Sequence, residues 1–370
     1  MNRVRFNSIL SVTFLTFIFC SSSPSFAAKN TTIDMDSPEI LTIKKAIELV
    51  KAADPELSIA RINAENDELN MRLANRDYRL IDADSIDSVA LAVQKYIPKA
   101  EGDLSARVSK LYHDTVPGTL NAKAIVSYYQ LLEAYNKKEW KKHRYQRVDE
   151  LSVVVKEMAS RHEPTSITVE DTMQVETRLA STQVEWLEAE RNWSETKIKQ
   201  NEILGVDAKK DWLLLPEQDA ATEDPPIMFE DAIASLASDT SVSVQKKGDV
   251  QIAQLHVDLV NRYSVPSTDP GKIARNNLEK ANIELEKMKR ANTFAMYSLY
   301  QSYEDGYKIL QTCKRAVELA TNNYNMMITQ LKQGHLGTGE ILQAEQELAH
   351  LENRYVEAEN SFNQARLNFQ

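Results

Sequence analysis

The chain has 370 residues and a formal net charge of −10. This acidic balance argues against nucleic acid as a partner, since nucleic-acid-binding proteins present a basic face. Two cysteines are too few for a disulfide framework, so packing must hold the fold together. The nine glycines are few for this length, because average usage is about 7%. Their scarcity favours long helices over the tight turns of a loop-rich enzyme or a β-barrel.

The N-terminal segment has the pattern of a secretory signal peptide. Two arginines among the first five residues precede an apolar run, Ile9–Cys20, and small residues flank Phe26. We predict that residues 1–27 are removed after Ala27, because the apolar run is too short for a membrane helix. A lipoprotein signal at Cys20 is disfavoured by the bulky residues before it. Export to the periplasm follows, and loss of two arginines takes the net charge from −10 to −12.

The first part of the remaining chain predicts short helices. Apolar spacing indicates a helix from Glu39, which Asp54-Pro55 interrupts, because proline cannot continue a helix from within. A second helix is predicted over 55–80. Prolines and glycines make 81–120 less regular, and its segment 85–97 fits a helix or a short strand, with helix favoured.

Longer helices follow. Two are predicted over 121–204 around a break at His162–Thr165, with Gly205 as a C-terminal cap. Residues 206–227 are predicted to be a linker, and Phe229–Leu236 to begin another helix.

A polar gap, Tyr263–Pro270, precedes a predicted helix from Lys272 to Gln333. Gly334–Gly339 is the predicted turn, and a return helix starts at Glu340. The chain after the signal has no apolar run long enough to cross a bilayer.

The last hairpin repeats apolar residues every seven positions, in the outgoing and the return helix. Such a heptad pattern predicts an antiparallel coiled coil with a left-handed supercoil. On this pattern alone, a rod-like dimerisation coil is an equal alternative. The residues expected at the helix-packing seams of the two hairpins are Trp186, Trp193, Leu310, Val317, Tyr324, Leu348, Tyr355 and Phe362.

The two halves of the chain resemble each other, which indicates a tandem duplication. The return helices match at an offset of 169 residues, and the outgoing helices at an offset of 171. The matched pairs are Glu188–Trp193 with Glu357–Phe362, Trp186 with Tyr355, Asp171 with Glu340, and Tyr129–Glu133 with Tyr300–Glu304. We predict an all-α fold of two repeats, 28–205 and 228–370, joined by a linker, 206–227. Each repeat combines a short helical element with a long hairpin.

Other patterns suggest no chemistry. The six histidines are dispersed, and Gly337–Gly339 lacks the lysine and the preceding strand of a phosphate loop. We therefore expect no enzyme activity, no metal and no cofactor. The basic stretch Lys137–Arg144 fits either a patch for an acidic partner or a solvated helix face.

The duplicated hairpins resemble the TolC-like outer-membrane efflux protein family. The resemblance rests on the second turn, Gly334–Leu342, where Glu340 stands in the place of the family's usual aspartate, and on Thr168–Asp171 in the first turn. It implies that three copies form a helical tunnel across the periplasm, and that the turns face an inner-membrane pump or a periplasmic adaptor. The residues expected to dock this partner are Thr168, Asp171, Gly334, Gly337, Thr338, Gly339 and Glu340.

The sequence departs from this family where the strands of an outer-membrane β-barrel are expected. Residues 262–271 are too short for two strands of about 9–11 residues, and 81–120 has no clear alternating pair. The sequence therefore predicts a periplasmic relative without a barrel, associated with the outer membrane by other means if at all. The alternative is a coiled-coil scaffold or adaptor without its own channel.

Overall fold

A computed structural model describes residues 39–160, 167–214 and 240–367. The predicted signal peptide, the break at His162–Thr165 and the helix at Phe229–Leu236 lie outside these residues. The elements in chain order are β1 (Glu39–Leu41), α1 (Ile43–Ala53), α2 (Glu56–Leu80), a 3₁₀ turn (Ala83–Ser85), α3 (Val89–Ser160), α4 (Val169–Leu204), β2 (Trp212–Leu214), α5 (Ser241–Tyr263), α6 (Asp269–Lys332) and α7 (Thr338–Leu367). The predicted all-α class with long antiparallel hairpins is confirmed.

The longest element is α3, with 72 residues, which span about 110 Å at 1.5 Å per residue. The preference for a helix over a strand at 85–97 is confirmed from Val89 on. The expectation of an irregular 81–120, with the long helix starting at 121, is wrong, because α3 continues through Pro98 and Pro117. A proline removes one backbone hydrogen bond, and burial of this part of α3 against α2 and α5 outweighs that loss. Gly102 lies where α2 comes close, since an added Cβ would be 3.3 Å from Cα of Met71.

The helices form a layer in which α3 is central. Along one side it packs on α2 and, further down, on α4, while α5 and α7 pack along its other side. The second long helix, α6, covers the far side of α5 and α7. The layer therefore ends in two edges, one formed by α2 and α4 and the other by α6.

A small structure at the base of the first hairpin was not predicted. Strands β1 and β2 pair in parallel, with Leu41 opposite Leu214, so the predicted linker 206–227 begins with an ordered segment. Leu41, Val50, Leu204 and Trp212 belong to one apolar core together with the middle of α3. Each strand has only three residues, a length that sequence periodicity cannot detect.

The helix ends follow the expected chemistry. Gly205 adopts a left-handed conformation with φ 67° and caps α4, which confirms the predicted cap. Helix α6 begins at Asp269 rather than Lys272, since Pro270 is tolerated in a first turn, where its missing N–H has no role. Within the described residues, none of the helices is both long and apolar enough to cross a membrane.

Candidate functional site: the paired hairpin turns and the layer between them

The second hairpin turn is fixed by a left-handed glycine. After α6 ends, Gly334 has φ 74°, a conformation that costs glycine less than any other residue. Its N–H donates to the carbonyl of Leu331 at 2.8 Å, and the N–H of His335 donates to the carbonyl of Gln330 at 3.0 Å. These bonds satisfy carbonyls at the end of α6 that have no partner within the helix. The chain then reverses into α7.

The first turn leads into α4 through a reciprocal cap. The backbone N–H of Asp171 donates to the Thr168 hydroxyl at 3.1 Å, and the backbone N–H of Thr168 donates to the Asp171 carboxylate at 2.8 Å. This capping box satisfies N–H groups that the first turn of a helix leaves without partners. The second turn repeats half of it, because the N–H of Gly337 donates to the Glu340 carboxylate at 3.2 Å.

Asp171 also joins the two turns. Its second carboxylate oxygen accepts a hydrogen bond from the hydroxyl of Thr338, the first residue of α7. Hydrogen bonds from Thr168 and Thr338 lower the pKa of Asp171 below its ordinary value, because they favour the charged carboxylate. The two turns therefore lie side by side at one end of the layer.

Behind the turns, apolar side chains of both hairpins form one cluster. It joins Leu151 and Val155 of α3 and Val175 of α4 to residues of the second hairpin. Those residues are Tyr324, Leu331, Ile341, Leu342 and Leu348. Burial raises the pKa of the Tyr324 hydroxyl to about 12. A shared core makes the two turns one rigid unit instead of two independent hairpins.

Further from the turns, a buried ionic cluster connects α3, α4 and α7. The guanidinium of Arg144 donates to both oxygens of Glu345, at 2.8 and 3.1 Å, and to Glu185 at 2.7 Å. The side chain of Glu345 is fully buried. Burial opposes the charge on Arg144, but the bonds from Glu345 and Glu185 outweigh it and raise the Arg144 pKa. The cluster ties the first hairpin to the return helix of the second.

A second ion pair with two parallel hydrogen bonds lies about two helical turns further along α7. Arg147 donates to both oxygens of Glu352, each at 2.7 Å, and lies 3.9 Å from Glu345. Burial raises the pKa of Glu352, and the bonds from Arg147 offset only part of this effect.

These contacts show what the basic stretch Lys137–Arg144 does. Neither alternative from the sequence describes the stretch as a whole, because most of its basic side chains bind within the chain. Lys141 donates to Glu185 at 2.7 Å, and Lys138 lies 4.8 Å from the ring centroid of Tyr135. The sequence contains a signal for these ion pairs that was not used. Glu345 and Glu352 are seven residues apart, so they share one face of α7 and can both meet the basic residues of α3.

The predicted docking residues lie at or beside the two turns. Thr338 is buried, whereas Gly337, Gly339 and Glu340 are exposed and Gly334 is half-buried. Thr168 and Asp171 form the cap described above. The structure brings all seven to one end of the layer, and their role in binding a partner stays a prediction.

The predicted seam residues lie between the paired helices. Trp186 stacks on Tyr145 at 5.5 Å, and Trp193 contacts Tyr135 edge-on at 5.6 Å. Phe362 stacks on Tyr303 at 5.5 Å. Leu310, Tyr324, Leu348 and Phe362 are buried, whereas Val317 and Tyr355 are half-buried.

The residues described in this section make apolar contacts, hydrogen bonds and ion pairs. Among the described residues, no group of three or more His, Cys, Asp or Glu side chains is placed to hold a metal ion.

Solved structures of outer membrane channels resemble the chain over most of its length. The structure of CusC, described in terms of folding and transmembrane channel formation, matches with a TM-score of 0.65 at 10% identity and covers 95% of this chain and 98% of that one. The CmeC outer membrane channel of Campylobacter jejuni gives 0.64 at 10% identity over 94% and 93%. The outer membrane protein VceC of Vibrio cholerae gives 0.63 at 11% identity over 88% and 94%.

No protein-family model and no curated protein matches the chain. At 10–11% identity the structural likeness establishes the fold. The resemblance to TolC-like channels that the hairpin repeats predicted is therefore confirmed at the level of fold.

Proposed function

We propose that this protein is a non-enzymatic component of an efflux or secretion assembly in the cell envelope. Several copies, three by analogy with TolC-like proteins, associate side by side, and their hairpins form the wall of a tunnel across the periplasm. The proposal includes export by residues 1–27 and two functional repeats, 28–205 and 228–370. Energy for transport comes from a partner, by analogy with TolC-like proteins.

The observation that carries this proposal is that both edges of the helical layer expose apolar side chains. On α4 these residues are Val169, Met173, Val184, Leu187 and Ile198; on α2 they are Ile62, Leu69, Leu73 and Leu80; on α6 they are Ile283, Phe294, Leu319 and Met326. At 100° per residue, each set falls on one side of its helix. Exposed apolar side chains aligned along one face of a helix favour a packing partner, and two different edges on one chain suit a head-to-tail ring.

The paired turns are the proposed docking site for an inner-membrane pump or a periplasmic adaptor. Val169 and Met173, beside the capped turn at Thr168, are exposed. The rigid link between Asp171 and Thr338 presents both turns at one level. A partner would thus meet two neighbouring turns from each copy.

Imaging of the purified mature protein by electron microscopy, with its mass measured by light scattering, tests the tunnel. We expect a closed ring with a central lumen. A stable monomer, or a two-stranded dimer, would instead support the alternative of a coiled-coil scaffold or adaptor. Cell fractionation against periplasmic and outer-membrane markers tests the location, and a cytoplasmic protein would contradict the proposal.

A further inference from the structure

The two hairpins of the chain meet where α3 packs on α7. Helix α3 meets α7 through the ion pair of Arg147 with Glu352 and through its approach to Glu345. Leu151 on α3 and Val356 on α7 are each only 1% exposed. This face of α3 and this face of α7 are therefore buried by each other and by their neighbours.

Aromatic contacts within each hairpin give the register between the two repeats. Tyr135 packs on Trp193 at 5.6 Å in the first hairpin, and Tyr303 packs on Phe362 at 5.5 Å in the second. Trp193 and Phe362 are 169 residues apart, and Tyr135 and Tyr303 are 168 apart. The register at this level of the hairpins is therefore 168, and it differs from the offset of 171 that the sequence match of Tyr129–Glu133 with Tyr300–Glu304 suggested.

This register places like residues at equivalent positions. The pairs on the outgoing helices are Arg147 with Arg315, Glu150 with Glu318, Leu151 with Leu319, and Met158 with Met326. The pairs on the return helices are Leu342 with Met173, Glu345 with Glu176, and Val356 with Leu187. Four identities among the outgoing pairs support the register.

Exposure differs sharply between the members of these pairs. Leu151 is 1% exposed, but Leu319 is 61% exposed; Val356 is 1% exposed, but Leu187 is 51% exposed. The difference arises because α3 and α7 lie inside the layer, whereas α6 and α4 form its edges. The edges thus retain the apolar residues of the internal interface, and none of the residues that the structure describes covers them.

We propose that a second copy of this chain covers them, with α4 of one copy packed on α6 of the next in the register of α3 on α7. Arg315 then pairs with Glu176 of the neighbour, as Arg147 approaches Glu345 within the chain. Gln183 stands at the position of Glu352, and its amide oxygen accepts from the same guanidinium. Leu319 and Met326 meet the apolar side of α4 that carries Met173 and Leu187. The two surfaces differ, so the contact is head-to-tail and repeats from copy to copy.

Both charged residues of the proposed ion pair lie on the surface of the chain. Arg315 is exposed, and among the described residues Glu176 forms an exposed ion pair with Lys156 of its own hairpin, at 2.9 Å. An exposed pair of this kind contributes little to stability, so its exchange for an interfacial pair costs little. This interface deepens the proposed tunnel, but it makes a separate claim about which residues join the copies.

Charge reversal tests the pair in the mature full-length protein. Arg315→Glu and Glu176→Arg should each weaken self-association by at least about tenfold, because like charges then meet in a desolvated contact. The double variant should recover association close to that of the unmodified protein. Lys314→Glu is the matched control, since it makes the same charge change at a position whose counterpart, Gln146, is exposed. Circular dichroism of every variant checks that the helices remain.

Thiol cross-linking gives a second measurement that does not depend on charge. Arg315→Cys with Glu176→Cys, in a Cys313→Ser background, should produce a ladder of covalent oligomers with a short bifunctional reagent, whereas each single cysteine should not. Sedimentation and electron microscopy then separate the two claims. Rings that persist unchanged in both reversal variants, without the ladder, would overturn this interface and leave the tunnel standing. A rescued contact that builds open filaments would support the interface and overturn the tunnel. A monomer at every concentration would overturn both.

Discussion

The carboxylate of Asp171 accepts hydrogen bonds from residues of both hairpin turns, from Thr168 in the first and from Thr338 at the start of the second return helix. One side chain therefore caps α4 and holds α7 beside it. The two turns are far apart in sequence, so this link depends on the packing of one hairpin against the other. Loss of this link should therefore destabilise both turns.

Asp171→Asn should destabilise the paired turns by about 1 kcal/mol, the usual loss for a helix cap. The amide retains one acceptor oxygen but cannot serve Thr168 and Thr338 as the two carboxylate oxygens do. Hydrogen exchange should become faster at the start of α4 and also at the start of α7. Glu170→Gln is the control, because it removes a charge from the same turn without touching the cap. Faster exchange at α4 alone would show that the link to Thr338 carries no stability.

The same residue predicts a pH dependence. The pKa of Asp171 is lowered in the folded chain below its ordinary value of 3.8, so its contribution is fully present above that value and is lost as the pH falls through the lower folded pKa. The stability of Asp171→Asn should therefore approach that of the unmodified protein only below pH 3.8. Urea unfolding at a series of pH values measures this difference, and the opposing effect of Glu352 cancels because both proteins contain it. A constant difference down to the lowest pH would contradict the lowered pKa.

Much of this region was readable from the sequence. The heptads predicted which residues of α6 and α7 face each other, because a seven-residue step is a local property of a helix. The repeat predicted that Asp171 and Glu340 are equivalent, and each indeed accepts from the backbone N–H three residues earlier. The contact of Asp171 with Thr338 could not be predicted, since it depends on how the hairpins pack. The burial of Arg144 was missed for the same reason: a charged side chain is rarely buried without a partner, and its partner, Glu345, lies 201 residues away.

The continuous helix α3 is a second feature that local sequence patterns do not predict. Pro98 and Pro117 indicate a break locally, and the helix continues through both. Tertiary packing keeps this part of α3 helical, because α2 and α5 both bury it. Local propensity is a weak guide where such burial is extensive.

Breaking the buried ion pair should be far more costly than replacing it. Glu345→Leu leaves the guanidinium of Arg144 buried with one of its two carboxylate partners removed, so we expect a loss of about 3–5 kcal/mol. Arg144→Met with Glu345→Leu should recover most of this loss, since an apolar pair of similar size needs no counter-charge. Urea unfolding of the three variants against the unmodified protein measures both effects. A double variant as unstable as Glu345→Leu would show that Arg144 also holds Glu185 in an essential position.

The two left-handed glycines should respond differently to alanine. Gly334→Ala should cost about 1 kcal/mol, because its φ of 74° is unfavourable for alanine. Gly205→Ala should cost more, because its Cβ would also lie 2.1 Å from the Cβ of Ala53. The combination of Gly205→Ala with Ala53→Gly should remove the clash and leave the backbone strain. Gly339→Ala, with open space around its Cβ, is the control and should not destabilise α7. Equal losses for Gly205→Ala and Gly334→Ala would mean that α1 moves away freely.

Phe362 should be the most sensitive position of the second hairpin seam. It is 2% exposed and stacks on Tyr303, so Phe362→Ala should cost about 3–5 kcal/mol. Phe362→Asp should abolish the hairpin, since it buries a carboxylate without a counter-charge. Circular dichroism and urea unfolding measure the loss, and self-association measured on the same samples shows whether the ring depends on this hairpin.

Gly306 provides a test of whether this loss arises from packing. A Cβ added there would meet Phe362 at 3.6–3.8 Å, an ordinary contact distance, and alanine is favoured over glycine inside a helix by about 1 kcal/mol. Gly306→Ala should therefore stabilise the hairpin while Phe362 is present. In the Phe362→Ala background the new methyl group loses its contact, so the gain should fall to helix propensity alone. A gain of the same size in both backgrounds would indicate that Gly306 and Phe362 do not pack on each other, and destabilisation by Gly306→Ala would indicate that the helices approach more closely than the structure shows.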